Sequence, residues 1–156
     1  MESKSVEESI VLHLLEVAAQ MTKKGDILTN KVGITTQQWI IMLYIYGDPN
    51  IPNIETKLPN ESGVLASDIA DALNVSRPNI TNIINNLVQK GLISQEFDVV
   101  DRRRKLLKIT SQGMELLNTI EPFRRKANAI LFSKFSQEQL GELLGDLQVV
   151  LSRLRG

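Results

Sequence analysis

Near the N-terminus, apolar residues recur at intervals of three and four: Ile10, Val11, Leu14, Leu15, Ala18 and Met21. That spacing predicts a first helix with one apolar stripe, running from about Val6 into the twenties, where Gly25 weakens it. The next block, "ITTQQWIIMLYIYGD", is hydrophobic on nearly all sides through Trp39, Ile40, Ile41, Leu43, Tyr44 and Ile45, so it predicts a central, buried helix. A cap-type threonine, Thr35 or Thr36, opens it and Gly47 closes it. Asp48 to Ser62 then holds three of the five prolines and three asparagines, a long loop for a compact domain.

The pattern sharpens after that loop. Ile69, Ala70 and Leu73 mark one side of a short helix that stops at Asn74, and Val75 is an apolar plug in the turn. Ser76 is a good N-cap for a longer helix, with Pro78 tolerated in its first turn. Ile80, Ile83, Ile84, Leu87 and Val88 form that helix's buried stripe, and Gly91 sits where a left-handed C-cap belongs. Short helix, tight turn and longer helix make a helix-turn-helix. "LISQEF" and "KLLKIT" then predict two paired strands, and a helix-turn-helix followed by a charged hairpin is a winged helix. Thr110 starts a further helix carrying Met114, Leu117 and Ile120, with a bend expected at Pro122. A last helix begins near Ser136 and Glu138 and carries Leu140, Leu143, Leu144, Leu147, Val150, Leu151 and Leu154. That stripe exceeds what a small wing-bearing lobe needs for itself and points to a partner chain.

The predicted architecture is therefore mostly α: a winged helix-turn-helix with a two-stranded wing, plus N- and C-terminal helices forming a dimerisation region. Residues 1–156 make one domain, with about 64–110 the winged lobe and about 6–34 and 114–156 the dimerisation helices. Leu14, Leu144, Leu147 and Leu151 are the residues expected between chains. Composition agrees with a globular helical protein, at 42% hydrophobic, 23% charged and only 4% aromatic residues. No cysteine is present, which removes disulfides, thiolate nucleophiles and sulfur-based zinc sites, and one histidine cannot build a His-based metal site within a chain. There is no GxSxG, no P-loop and no carboxylate pair whose spacing demands chemistry, so neither an enzyme nor a cofactor is expected. The acidic start "MESKSVEESIVLHLL" lacks the form of a signal peptide, and no segment approaches a membrane span. A cytoplasmic protein with no membrane partner is expected.

Eighteen basic residues balance eighteen acidic ones, but not evenly along the chain. From Ser76 to Lys108 there are seven cations against three anions, a local charge of +4 that leaves −4 elsewhere. Arg102, Arg103, Arg104 and Lys105 stand together behind Asp101 on the predicted wing tip. A solvated turn is the plain account of such a run. Its position between two strands after a helix-turn-helix favours contact with phosphates or a minor groove.

Three segments resemble the MarR family, the multiple-antibiotic-resistance type of bacterial transcription regulator. "SDIADALNVSRPNITNIINNLVQKGLI" is similar to the family's helix-turn-helix. "DRRRKLLKITSQG" is similar to its wing signature, an Asp, an Arg two residues later, and a strand ending in Leu/Ile-Thr-x-x-Gly. "ITTQQWIIMLYI" resembles the start of its second helix. With the helical flanks the likeness runs from about Val6 to the C-terminus. It departs in the longer loop at 48–62 and at Leu65, where the family often has a capping Thr. The peroxide-sensing cysteine of one branch is absent.

The resemblance implies a homodimeric, ligand-responsive repressor that binds an inverted repeat in double-stranded DNA, with a small-molecule effector. Asp101 would orient Arg103 toward a minor groove. Ser76 to about Lys90 would be the recognition helix, with Ser76, Arg77, Asn79, Thr81, Asn82 and Asn85 able to read bases or touch phosphates. An ordinary wet helix face is the alternative, but Asn79, Asn82, Asn85 and Asn86 are poor helix formers, and so many on one face ask for another reason. His13, Trp39, Tyr44 and Tyr46 are candidates for an effector pocket. Core packing is the simpler account of Trp39, and both readings stand for the other three. The competing class is a winged-helix protein-interaction module in which the wing is only a charged rim.

Overall fold

The computed structural model describes residues 5–52 and 63–156. The elements run α1 (Val6–Thr29), a 3-10 turn (Asn30–Val32), α2 (Thr36–Tyr46), β1 (Val64–Leu65), α3 (Ala66–Leu73), α4 (Arg77–Gln89), β2 (Ile93–Phe97), β3 (Lys105–Ile109), α5 (Ser111–Leu131) and α6 (Gln137–Arg155). The chain forms two compact units, Met1–Ile120 and Glu121–Gly156, whose boundary lies within α5.

In the first unit, α1 begins at Ser5, whose hydroxyl accepts from the Glu8 amide, and Glu7 and Glu8 complement the helix dipole. It runs through Gly25 rather than ending there, and Gly25 is buried where the helix meets its neighbours. Thr35 caps α2 in a full capping box with Gln38, and Gly47 closes it at φ 89°. As the all-round apolar pattern requires, α2 is central: Ile41, Met42, Tyr44 and Ile45 are all buried. Beyond it, the Asp48 carboxylate accepts from the Asn50 amide and Ile51 turns back into the core. Most of the expected 48–62 loop lies outside the described residues.

The core is one cluster. Ile69 and Ala70 from α3, Ile80, Ile84 and Leu87 from α4, Ile93 and Leu107 from the sheet, and Leu117 and Ile120 from α5 pack around α2. At roughly 1.5–3 kcal/mol for each large aliphatic side chain, this burial is the main force holding α4 and the sheet in place. The sheet has three antiparallel strands in the order β1-β3-β2, so the predicted two-stranded wing gains a third, two-residue strand. Val64 lies opposite Leu107 and Leu65 opposite Leu106. That addition was hidden because a two-residue strand has no periodicity to read.

The second unit holds the C-terminal part of α5, which continues to Leu131 as unbroken helix past Pro122. Phe132 and Phe135 meet edge to face in the following turn, with centroids 6.4 Å apart. Ser136 then caps α6 in a capping box whose partner is Gln139 rather than Glu138.

Candidate nucleic-acid interface

The turn between α3 and α4 is built from Asn74 and Val75. Asn74 takes the left-handed conformation at φ 52°, one of the few non-glycine types that does so cheaply. The Val75 amide then donates to the Ala70 carbonyl at 3.1 Å, and its side chain packs on the core. Leu65 precedes α3 without a side-chain cap, the departure already visible at that position.

On α4, Ser76 is the N-cap and Arg77 and Pro78 open the first turn. Ile80, Ile84 and Leu87 are buried, whereas Ser76, Arg77, Asn79, Thr81, Asn82 and Asn85 are all exposed. Helical spacing puts Asn82 and Asn85 opposite the buried stripe, with Thr81 on one flank and Asn79 on the other. The Thr81 hydroxyl donates to the Arg77 carbonyl at 2.9 Å, so Thr81 is left as an acceptor. Asn86 differs from the other asparagines, because its side-chain oxygen accepts a hydrogen bond from the Gln38 amide at 2.7 Å.

The hairpin β2–β3 pairs Phe97 with Lys105 and Ile93 with Ile109. Lys105 is thus the first residue of β3, and the tip proper is Asp98 to Arg104. Two carboxylates shape that tip. Asp98 accepts from the Val100 amide at 3.0 Å, and its own amide donates to the Arg104 carbonyl at 2.9 Å. Asp101 accepts both the Arg103 amide, at 3.1 Å, and the Arg103 Nε, at 3.2 Å. The guanidinium of Arg103 is 92% exposed, so this ion pair orients it and adds little stability. The contact uses Nε and leaves both Nη groups unspent. Arg102, Arg104 and Lys105 are exposed and make no ion pair among the described residues.

The base of the wing is held by the Thr-x-x-Gly signature. The Thr110 hydroxyl donates to the Gly91 carbonyl at 2.6 Å and accepts from the Gly113 amide at 3.0 Å. A Cβ on Gly113 would lie 2.2 Å from the Leu92 carbonyl oxygen, so only glycine lets α5 start this close to the strand.

The four aromatic candidates do not share one environment. Tyr44 belongs to the core, fully buried; Trp39 is half-buried against that core, and Tyr46 is 52% exposed. His13 is exposed on α1, with Nδ1 2.7 Å from the Ser9 carbonyl. Among the described residues no group of acidic or histidine side chains is arranged to hold a metal.

A helix-turn-helix followed directly by a hairpin with a cationic tip defines a winged-helix protein. Within that class, the model of the MarR family matches residues 32–104. The match takes in α2, the helix-turn-helix and the wing tip. A protein of Thauera aromatica described as a transcriptional regulatory protein for the hcr operon is 30% identical over 100 residues, covering 64% of this chain and 60% of that protein's length. MepR of Staphylococcus aureus, described as a transcription regulator of the multidrug efflux pump MepA, is 26% identical with a TM-score of 0.63, over 90% of this chain and 95% of its own. MepR in complex with DNA superposes with a TM-score of 0.75 at 24% identity, over 97% and 99% of the two chains. A MarR protein of Peptoclostridium difficile shares the fold at a TM-score of 0.80 and 18% identity, over 99% and 92%. The family is one of transcription regulators rather than enzymes.

Sequence reasoning missed Gln38. The Thr35-x-x-Gln38 spacing was legible as a capping box, but its second contact lies 48 residues away and has no local signal.

Proposed function

We propose that this chain is a sequence-specific DNA-binding transcription regulator that acts as a homodimer. Each protomer would lay α4 in a major groove and direct Arg103 into the adjacent minor groove, while Arg102, Arg104 and Lys105 meet phosphates. The observation that carries this reading is the Asp101–Arg103 pair on a tip whose other cations, Arg102, Arg104 and Lys105, make no ion pair among the described residues, directly downstream of a helix whose outward face is polar over its first turns. Arginine suits this role because its planar guanidinium is weakly hydrated and fits the negative channel of a narrow minor groove. The likeness to MepR, crystallised with DNA, supports the same reading.

Homodimerisation is supported by apolar residues that each unit leaves exposed. On α1 these include Ile10, Val11, Leu15 and Met21; on α6 they include Leu144, Leu147 and Val150, while Leu14 and Leu151 are half-buried. Stripes of this length on a lone chain are an aggregation hazard, and burial against a second copy removes it. Residues of about 6–34 and 114–156 would form that region, with about 64–110 as the DNA-binding lobe of one MarR-like domain. The cytoplasm is the compartment such a regulator needs, and no described helix is long and apolar enough to cross a membrane. As in the family it resembles, we infer a repressor whose affinity falls when a small effector binds.

A selection from random duplexes tests the proposal. Two recognition helices related by a two-fold axis should recover an inverted repeat with half-sites about one helical turn apart. Recovery of single, asymmetric half-sites would contradict the dimeric mode, and recovery of no preferred sequence would contradict the function itself.

A further inference from the structure

The buried polar residues among those described are Thr29, Thr36 and Gln38, and all three sit at the corner where α1 passes into α2. Burying an amide is unfavourable unless its donors and acceptors are used, and here they are. Gln38 Oε1 accepts from the Thr35 amide at 3.0 Å, which completes the cap of α2, and Gln38 Nε2 donates to Asn86 Oδ1 on α4 at 2.7 Å. The same corner is tied back to α1, since the Asp26 carboxylate accepts from the Thr36 amide at 2.8 Å and the Thr36 hydroxyl reaches the Thr22 carbonyl at 3.4 Å. A second tie runs from Lys90, at the end of α4, to the Gly33 carbonyl.

Apolar packing fixes how deeply α4 sits but is weakly directional, so on its own it tolerates small rolls and slides of the helix. Asn86 shares one flank of α4 with Asn79 and lies four residues on from Asn82 on the outward face. A short, part-buried hydrogen bond on that flank sets the roll of the helix and with it the angle at which Asn79 and Asn82 face outward. We infer that Gln38 is a positioning residue for sequence discrimination: it never touches DNA, and it holds the recognition helix in the orientation that reads bases by gripping Asn86 from the corner of α1 and α2. This inference rests on the DNA-binding reading above.

The test compares two dissociation constants at one fixed salt concentration, for the strongest duplex from the selection and for its scrambled counterpart, alongside thermal unfolding. Gln38→Met keeps the length of the side chain and removes both hydrogen-bonding groups. It should lower the ratio of specific to scrambled affinity about tenfold while leaving scrambled binding within about twofold. Asn86→Ala should do the same, and the double variant should lose no more than either single one, because both remove one contact. Gln38→Glu should retain the ratio, since a glutamate completes the capping box and the Asn86 amide can turn to donate to it. A selective wild type whose ratio is unchanged in Gln38→Met overturns the inference alone, as does Asn86→Ala losing selectivity without Gln38→Met, which would make Asn86 a direct contact. Equal losses on both duplexes in step with a lowered melting temperature would reduce Gln38 to a purely structural role. A wild type with no selectivity at all fails the DNA-binding reading, and the inference with it.

Discussion

At Gly113 a single methyl group has nowhere to go: its Cβ would press on a backbone carbonyl 2.2 Å away, and neither the strand nor α5 can give without disturbing the core. Gly113→Ala should therefore cost about 1–3 kcal/mol, read as a lowered midpoint in denaturant unfolding. An unchanged midpoint would mean that the base of the wing is looser than this close approach requires. At the wing tip the chemistry is electrostatic instead. Arg103→Ala should weaken binding and reduce the preference for A·T-rich flanks, because a narrow A-tract groove concentrates negative potential. Arg102→Ala should weaken A·T- and G·C-flanked duplexes about equally. Asp101→Ala should act as a milder Arg103→Ala, since it frees the guanidinium without removing it, and helix content should not change in any of the three because the tip buries little. Equal losses on both flanks in Arg103→Ala would leave the arginines as a phosphate clamp and nothing more.

The helices show what a sequence discloses and what it withholds. Periodicity and caps located α2, α3, α4 and α6 because each carries apolar residues at helical spacing or a cap of its own: Thr35, Asn74, Ser76 and Ser136. Gly25, expected to weaken α1, and Pro122, where a bend was expected, both lie inside continuous helix. One glycine costs a helix only about 1 kcal/mol, and neighbouring turns absorb a proline when packing favours continuation. Strand β1 and the contact from Gln38 to Asn86 depend on residues far apart in sequence, and no local pattern encodes them. Polar residues on α4 were legible as a class, but the hydrogen bond from Gln38 that sets Asn86 apart from Asn79, Asn82 and Asn85 needed the fold. On α6, Leu144 and Leu147 face solvent in the lone chain. Leu144→Asp with Leu147→Asp should therefore leave the winged lobe folded and shift sedimentation from dimer to monomer at micromolar concentration. A wild type that sediments as a monomer there would remove the dimer from the account.

For the molecule as a whole, the organising feature is a neutral chain that collects positive charge on one motif. A neutral protein has no general attraction for nucleic acid, so any affinity for duplex DNA must come from the local cations and release counterions in proportion to the phosphates they meet. With Arg102, Arg104 and Lys105 as phosphate contacts in each protomer, a homodimer neutralises about six phosphates, for a slope of log affinity against log salt of roughly −5. Replacing one of the three with alanine removes two contacts per dimer and should flatten that slope by roughly two. The most direct measurement is the affinity of the wild-type protein for its selected duplex across a salt titration from about 50 to about 200 mM. A loss of about a thousandfold over that range is the predicted result. Affinity that stays level would contradict DNA binding through this wing and leave the fold to serve a protein partner instead.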